Sequence, residues 1–433
     1  MNANTGAGRS ILTSQAAHSS PQPHAEAEAR VSAGFMFIYG FAQFAAWLAI
    51  LTPITITIAL RVGEIATPGQ KANYLATVLA IGAFCAMVAA PIWGAISDHT
   101  TARIGRRKLW IALGAVFLFS GLAMMALSTS IIGLGAGWLI CQIGSNATQA
   151  SLNAILPDQV PVSQRGRMSS ILGLTIVVAT VAGTFITQFT QHSSVAMFLV
   201  PWLPSVISVA LVLKYLPDAP ATNTAPVSLG SILSVFRVNP FKDREFGLVF
   251  SSRFLVATGY SFAQTYQVFA LTDMIGIAKS EVARAIFLSS AAVAILGLLL
   301  TPAAGYLVDR TRRMKPTVVV SGLAVTIGLL AISQSQTLAL FLVAITIVKV
   351  SRSVFTSITF AISATVLPNK SSAAKDLGIM QIANSLPQSI APAIAPLFLA
   401  IGGGQSNYPA MFIAATAFSV VGSMMILPMR RVK

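Results

Sequence analysis

Apolar stretches of 20 residues or more recur along the whole 433-residue chain, and they constrain its fold more than any other feature. A helix needs roughly 20 predominantly apolar residues to cross the hydrocarbon core of a bilayer. Only 9% of the residues are charged, whereas soluble domains carry about 25%. The sequence therefore predicts an all-α membrane protein with about twelve transmembrane helices. The predicted spans lie near residues 33–60, 72–96, 109–128, 131–155, 168–190, 194–213, 246–272, 284–307, 316–335, 338–365, 377–400 and 408–427.

The twelve predicted spans fall into two halves of six. A polar connection with several prolines, residues 214–245, separates an N-terminal six-helix bundle at 33–213 from a C-terminal bundle at 246–428. Residues 1–32 are rich in Ala, Ser, Pro and Gln and contain no long apolar run. That composition predicts a disordered cytoplasmic tail. Residues 429–433 form a second, short cytoplasmic tail in the same prediction.

An internal repeat supports this division. The residues Gly-Ala-Ile-Ser-Asp at 94–98 match Gly-Tyr-Leu-Val-Asp at 305–309, and Leu-Pro-Asp at 156–158 matches Leu-Pro-Asn at 367–369. Both matches have the same offset of 211 residues (305 − 94 and 367 − 156). Repeated bundles are a transporter architecture in which the substrate site lies near the midplane, between the repeats.

The positive charge of the chain is concentrated in alternate loops. Lys and Arg number 28 against 12 Asp and Glu, a net charge of +16, which in a soluble protein would suggest nucleic acid as a partner. If the N-terminus is inside, 21 of the 28 basic residues lie in cytoplasmic segments and only four in outer loops. Because short basic loops stay in the cytoplasm, we expect a multi-pass protein of the cell membrane with both termini cytoplasmic and no nucleic-acid partner.

The sequence carries no sign of a metal site, a cofactor or enzyme chemistry. Cys85 and Cys141 lie inside apolar stretches, and the four histidines are scattered without ligand spacing. None of the familiar nucleophile or metalloenzyme motifs is present. A membrane enzyme or receptor is therefore the last of the alternatives.

The loop after the second span carries the most specific motif. It reads Gly-Ala-Ile-Ser-Asp-His-Thr-Thr-Ala-Arg-Ile-Gly-Arg-Arg-Lys at 94–108, and a shorter copy reads Gly-Tyr-Leu-Val-Asp-Arg-Thr-Arg-Arg-Met-Lys at 305–315. This motif resembles the loop between helices two and three of the major facilitator superfamily, in a form similar to that of glycoside-pentoside-hexuronide:cation symporters and sucrose transporters. The resemblance covers the chain after residue 32. It implies two pseudo-symmetric six-helix bundles that transport a solute by alternating access.

The resemblance also implies a role for charged residues in this loop and its copy. In the resembled family the loop acts as a cytoplasmic latch, and a carboxylate beside arginines can form charge-assisted hydrogen bonds there. Alternatively, the arginines only follow the positive-inside rule. His99 departs from the motif, because many relatives have Arg at this position. The matching positions are Asp98, Arg106 and Arg107 in the first copy and Asp309, Arg312 and Arg313 in the second.

Polar side chains at helical spacing are the candidates for contact with substrate. The resembled fold places the first, fourth, seventh and tenth spans around a central cavity, and four amides lie on one face of the fourth span. The alternative is that such amides bridge neighbouring helices. The amides are Gln142, Asn146, Gln149 and Asn153. The other polar and aromatic candidates are Tyr39, Gln43 and Trp47 in the first span, Tyr260, Gln264 and Gln267 in the seventh, and Gln381 and Asn384 in the eleventh.

Three basic residues at membrane depth suggest the charge of the substrate. Lys349, Arg352 and Arg253 lie inside predicted spans, whereas no Asp or Glu lies in the middle of one. A charge in hydrocarbon costs at least ~2.5–3.5 kcal/mol and usually marks a functional site. These residues therefore favour an anionic substrate, unless the arginines snorkel to the surface and the lysine is uncharged. Because no carboxylate lies at this depth, the sequence argues against a simple proton symport mechanism. Anion exchange, facilitated diffusion and coupling at Asp273 and Glu281 remain as alternatives.

Together these features favour a monomeric secondary transporter for a sugar, a glycoside or a sugar acid or other carboxylate, with a coupling ion or counter-anion as a further partner. A multidrug or antibiotic exporter of the same superfamily is the first alternative. Drug:proton antiporters typically carry a glycine-proline signature in the fifth span, and residues 167–188 contain no proline.

Overall fold

The computed structural model describes residues 30–67, 69–221, 240–366, 373–402 and 406–430. Within these ranges the chain forms twelve helical segments and no strand, which confirms the all-α prediction. Most of the predicted N-terminal tail and residues 222–239 of the predicted linker lie outside the described residues.

The helices, in chain order, are α1 (Ala33–Ile65), α2 (Lys71–Asp98), α3 (Lys108–Leu127), α4 (Ile131–Gln159), α5 (Val162–Thr190), α6 (Ser194–Tyr215), α7 (Arg244–Phe269), α8 (Lys279–Thr311), α9 (Met314–Ser333), α10 (Leu338–Thr365), α11 (Ala373–Leu399) and α12 (Tyr408–Met424). Eight of these described segments are long and apolar enough to cross a membrane. The other four are α4, α7, α11 and the short α12. The first three of these carry many of the predicted substrate residues, whose polar side chains lower the mean hydropathy.

Side-chain oxygens cap the start of several helices. At α4 the Ser130 hydroxyl accepts a hydrogen bond from Gly133 N at 3.1 Å. At α7 one carboxylate oxygen of Asp243 accepts hydrogen bonds from Glu245 N and Phe246 N, both at 3.0 Å. Such caps satisfy backbone donors that have no partner within the helix. They fix the residue at which each of these two helices begins.

Two short π-helical turns, which are wider than an α-helix, lie within α1 and directly after α7. Pro53–Thr57 forms a π-helical turn within α1, and Ala270–Met274 forms one directly after α7. Proline has no backbone N–H, which weakens the regular hydrogen-bond ladder, and π-turns are frequent at functional sites. The two turns occupy equivalent places in the two predicted halves.

Small residues allow α3 and α4 to pack with their backbones almost in contact. A Cβ atom added at Gly144 would lie 2.6 Å from both Gly114 O and Leu118 N, and one at Gly121 would lie 2.5 Å from Gly137 O. Close approach of this kind is the usual way in which helices associate in membranes, where packing replaces the hydrophobic effect.

The two predicted halves meet through paired helices. Helix α2 packs against α11, and α5 packs against α8. We call the end of the bundle with residues 66–67, 69–70 and 275–278 the turn end. The opposite end, with residues 99–107 and 312–313, is the loop end. The described hydrogen bonds between the halves gather toward the turn end, which they hold closed.

A charged pair makes the shortest contact at the turn end. Lys71 Nζ lies 2.5 Å from Asp273 Oδ1 across the two halves, and the side chains are 19% and 22% exposed. Tyr408 Oη donates to the second oxygen of Asp273 at 2.8 Å. Nearby, Tyr266 Oη donates to Ala72 O at 3.3 Å. Asp273 therefore joins α12 and α2 through a single carboxylate.

We predict that Gly144→Ala destabilises the bundle, because the new methyl group meets backbone atoms that cannot rotate away. Overpacking of this kind costs about 1–3 kcal/mol, so the melting temperature in detergent should fall by several degrees. Gly166→Ala is the matched control, since no atom lies within 4 Å of its added Cβ. Equal melting temperatures for the two variants would contradict the close α3–α4 contact.

We also predict that Asp273→Asn favours separation of the halves at the turn end. A partly exposed ion pair contributes about 0.2–1 kcal/mol, so the separated population should rise by up to about fivefold. Distances between spin labels at Thr67 and Ala278 measure this population. Glu281→Gln is the control, because Glu281 makes no ion pair with any described residue. Identical distance distributions in both variants would count against the pair as a closure.

Candidate functional site

A cavity of about 1710 Å³ lies between the two halves. Its described wall comes from α1, α2, α4 and α5 on one side and from α7, α8, α10 and α11 on the other. The lining parts of α2 and α11, Leu79–Pro91 and Gln381–Gln388, lie away from the turn end. Because the contacts between the halves gather at the turn end, the cavity extends toward the loop end.

All four amides predicted on the fourth span line this cavity, and their hydrogen bonds differ. Asn146 Nδ2 donates to Gln142 O at 2.8 Å, and Asn153 Oδ1 accepts from Gln43 Nε2 at 2.8 Å. Both amide atoms of Gln149 are enclosed, and neither has a hydrogen-bond partner in the part of the chain that the structure describes. The wall of α4 is therefore polar and uncharged, and part of its hydrogen-bonding capacity is unused.

Of the three residues predicted on the first span, only Trp47 lines the cavity. Its indole Nε1 is also buried without a partner. Tyr39 is fully buried, and its Oη donates to Leu152 O at 2.8 Å, so it packs α1 against α4 instead of facing the cavity. Gln43 lies behind the cavity wall and holds Asn153. A spacing of four residues puts the three side chains on nearly the same face of α1. This face lines the cavity at Trp47 and contacts α4 at Gln43 and Tyr39.

Lys349 is the charged residue that lines the described cavity wall. Its Nζ donates to Gln267 Oε1 at 2.9 Å, and Gln267 Nε2 in turn donates to Thr55 O at 3.0 Å. Thr55 lies in the π-helical turn of α1. One chain of hydrogen bonds therefore runs from the cavity lysine through α7 to the opposite half.

Arg352 lies one helical turn further along α10, directly behind the cavity wall. Its Nη2 donates to Asn384 Oδ1 at 2.9 Å, while Nε and Nη1 are buried without partners. The guanidinium carbon lies 5.7 Å from the ring centroid of Tyr260, which lines the cavity and donates to Gln264 Oε1 at 3.3 Å. A cation over an aromatic face is stabilised by the ring quadrupole. Arg352 and Asn384 therefore support the wall that Tyr260, Gln264 and Gln381 present.

Arg253 does not reach the cavity. It is 1% exposed within the C-terminal half, where Nη1 lies 3.4 Å from Thr359 Oγ1 and Nε has no partner. Neither Arg253, Arg352 nor Lys349 forms an ion pair with a carboxylate among the described residues. The C-terminal half therefore holds a cluster of cations that described carboxylates do not neutralise.

Hydroxyl groups that the sequence analysis did not single out complete the wall. Ser145, Ser290, Ser353 and Ser385 line the cavity, and the Ser290 hydroxyl is buried without a partner. Single serines among alanines and glycines give no periodic polar stripe, so their spacing carried no signal. Only the packing of the helices turns them toward one space.

At the loop end, Asp98, Arg106, Arg107 and Asp158 form the loop cluster. Arg107 is almost fully buried, and its Nη2 lies 2.6 Å from Asp98 Oδ1 and 2.9 Å from Asp158 Oδ2. Arg106 Nη2 also lies 2.9 Å from Asp158 Oδ2. In the sequence, Asp158 is distinguished only as part of the repeat, where it matches Asn369 at the offset of 211 residues. The carboxylate that joins both arginines was therefore missed.

The second copy of the motif makes no such cluster with the residues that the structure describes. Asp309, Arg312 and Arg313 form no ion pair with any described residue. Arg312 ends α8 in the left-handed conformation, with φ at 55°. The position that corresponds to Asp158 is Asn369, which carries no charge and lies outside the described residues. An uncharged asparagine cannot form the ion pairs that Asp158 makes with two arginines.

The start of the linker packs on the first loop. Asp218 Oδ2 accepts hydrogen bonds from Arg107 N at 2.7 Å and Lys108 N at 2.8 Å, and so caps α3. A carboxylate at this position also interacts favourably with the helix dipole. Gly105 has a φ of 113°, and an added Cβ would meet the Asp218 side chain. This glycine is required both by its backbone conformation and by the close approach of Asp218.

We predict that Asp158→Asn destabilises the protein more than Asp309→Asn does. The first change removes a charged acceptor from two arginines, one of them buried. Loss of a hydrogen bond to a charged group costs about 1.5–3 kcal/mol, whereas a surface substitution stays within about 0.5 kcal/mol. Thermal unfolding in detergent measures both. Equal shifts would mean that the loop cluster contributes nothing to stability.

Comparison with known proteins agrees with this architecture. The family model of the Major Facilitator Superfamily matches residues 32–392 and, in a second match, 252–433. No curated protein matches the sequence.

Several solved structures share the fold at low sequence identity. The nucleoside transporter NupG superposes with a TM-score of 0.70 at 14% identity, covering 91% of this chain and 98% of NupG. A D-xylose-proton symporter gives a TM-score of 0.66 at 14% identity, with 91% and 96% covered. The human organic anion transporter MFSD10 (TETRAN) gives 0.63 at 14% identity, with 91% and 99% covered. Since the family model spans most of the sequence, the chain belongs to the major facilitator superfamily.

Proposed function

We propose that this transporter moves a small polar organic anion, such as a sugar acid or another carboxylate, through the cavity between its halves by alternating access. The observation that carries the proposal is the position of Lys349 in the cavity wall, with Arg352 behind it and no described carboxylate paired with either.

The cost of an isolated charge explains why an anion fits this wall. A buried cation without a counter-charge is strongly disfavoured in a medium of low dielectric constant. Lys349 Nζ has three N–H donors and uses one of them on Gln267. An anion in the cavity would accept hydrogen bonds from the remaining two N–H groups and would offset the positive potential of Arg352.

The same charges argue against the efflux alternative. A lipophilic cation in the cavity would lie beside Lys349, and like charges at short distance repel each other. Three solved structures with this fold are named as transporters of nucleosides, of D-xylose and of organic anions. The shared fold therefore does not select a substrate, and the side chains of this cavity support the choice of an anion.

Closure at the turn end supports a particular state in the transport cycle. With the orientation inferred from the basic loops, the loop end faces the cytoplasm. In this proposal the cavity opens inward, and the contacts around Asp273 form the outer closure. The described cavity wall contains no Asp or Glu that could carry a proton. We therefore propose that the protein works as a monomer and either exchanges its substrate for a counter-anion or allows the substrate to cross by facilitated diffusion.

We predict that Lys349→Gln lowers uptake of D-glucuronate into proteoliposomes by about 10- to 100-fold at substrate concentrations below saturation, because a hydrogen bond to a charged group contributes about 1.5–3 kcal/mol. Lys349→Arg should retain part of the uptake, since it keeps the charge. Lys214→Gln makes the same chemical change at an exposed position at the end of α6 and should transport as the parent protein does.

A thermal-shift series on the purified protein tests the substrate class independently. A ligand that binds only the folded state raises the melting temperature by mass action. D-glucuronate should stabilise the parent protein and not the Lys349→Gln variant, whereas tetraphenylphosphonium should stabilise neither. Stabilisation by the cation, or by D-glucose alone, would overturn the proposal of an anionic substrate.

A further inference from the structure

The two walls of the cavity differ in their chemistry. The described lining from the N-terminal half contains amides, hydroxyls and indoles but no charged residue. The lining from the C-terminal half contains Lys349, and Arg352 lies directly behind it. A substrate that spans the cavity therefore meets a positive wall on one side and a neutral hydrogen-bonding wall on the other.

The neutral wall needs a partner that can donate hydrogen bonds. Among the described residues, neither the amide N–H donor group nor the carbonyl acceptor of Gln149 has a hydrogen-bond partner, and Trp47 Nε1 is a further donor without one. An ionised carboxylate only accepts hydrogen bonds, whereas a hydroxyl group donates one and accepts others. A carboxylate could therefore satisfy Trp47 but not the Oε1 atom of Gln149. A hydroxyl group satisfies both residues.

These two atoms of Gln149 are enclosed by the wall itself in this conformation. The residue nevertheless lines the cavity, on the same face of α4 as Gln142, Asn146 and Asn153. A polar group that is buried without a hydrogen bond is costly to keep. To bind a ligand in the cavity, the Gln149 side chain must rotate so that these two atoms face the open space.

We propose that the substrate is a hydroxylated monocarboxylate, held with its carboxylate toward Lys349 on α10 and its hydroxyl groups against Gln149 and Trp47 on α4 and α1. This inference rests on the proposed function and adds to it the orientation and the class of the anion. It separates sugar acids and acidic glycosides from dicarboxylates, because a second carboxylate would bring an acceptor-only group to the Gln149 side. Gln149 is then the residue that sets specificity, and Lys349 the residue that holds the charge.

The test compares two ligands on two variants of the full-length protein. D-glucuronate carries one carboxylate and several hydroxyl groups, and succinate carries two carboxylates and no hydroxyl group. Gln149→Met keeps the volume of the side chain and removes its hydrogen bonds. We expect the parent protein to bind succinate more weakly than D-glucuronate. Gln149→Met should weaken D-glucuronate binding about tenfold and leave succinate binding unchanged. Lys349→Gln should weaken both ligands.

The melting temperature of the unliganded protein distinguishes a binding role of Gln149 from a purely structural one. Because the enclosed amide of Gln149 makes no hydrogen bond, its replacement by methionine should leave the melting temperature of the unliganded protein unchanged or raise it. Gln334→Met is the matched control, since Gln334 is exposed at the end of α9. That variant should bind both ligands as the parent protein does.

A further experiment changes the ligand instead of the protein, so that it does not depend on any variant. A D-glucuronate derivative with its hydroxyl groups methylated keeps the carboxylate and loses every donor, and we expect the parent protein to bind it about tenfold more weakly. Equal binding of D-glucuronate and succinate, equal binding of the methylated derivative, or an equal effect of Gln149→Met on both acids would overturn the inference while the proposed anion transport stands. Binding of no anion at all would overturn the proposed function itself.

Discussion

The absence of water from the bilayer core is the constraint on which the rest of this structure depends. Every backbone donor and acceptor must find its partner within the protein, so the spanning segments are helices. Helices that gain little from the hydrophobic effect must pack closely, as Gly144 and Gly121 allow between α3 and α4. Each polar side chain at depth then requires a specific partner or a cavity. The polar residues of this chain divide between those two outcomes.

The hydrogen bonds of Gln267 connect the candidate site to the closure of the bundle. Gln267 accepts from Lys349 Nζ at 2.9 Å and donates to Thr55 O at 3.0 Å, on the opposite half. The same region of α7 continues into the π-helical turn that presents Asp273 to Lys71. The charge in the cavity and the ion pair that closes the turn end are therefore both held by one short stretch, the end of α7 and its π-helical turn. At the other end, the loop cluster and Asp218 hold the first loop and the start of the linker against the N-terminal half.

Much of the fold and part of the site could be predicted from the order of the residues. Helix positions follow from apolar length, and α4 turns its four amides to the cavity because they recur at helical spacing. Lys349 was recognisable as a charge at depth. Tyr39 and Arg253 also have helical spacing consistent with the cavity, but in the structure each is buried among neighbouring helices. Periodicity identifies a polar face and does not tell whether that face meets a space or another helix.

The sequence by itself determined that the chain is helical, that it repeats after 211 residues and that its charges at depth are all basic. These properties are local, because composition and spacing act through short-range geometry and through the transfer of each side chain into the bilayer. Only the tertiary structure decided which cations face the cavity, that Asp158 joins two arginines at the loop end, and that the amide of Gln149 is left without a partner. Those outcomes depend on distances between residues far apart in the chain, and the packing of whole helices sets such distances.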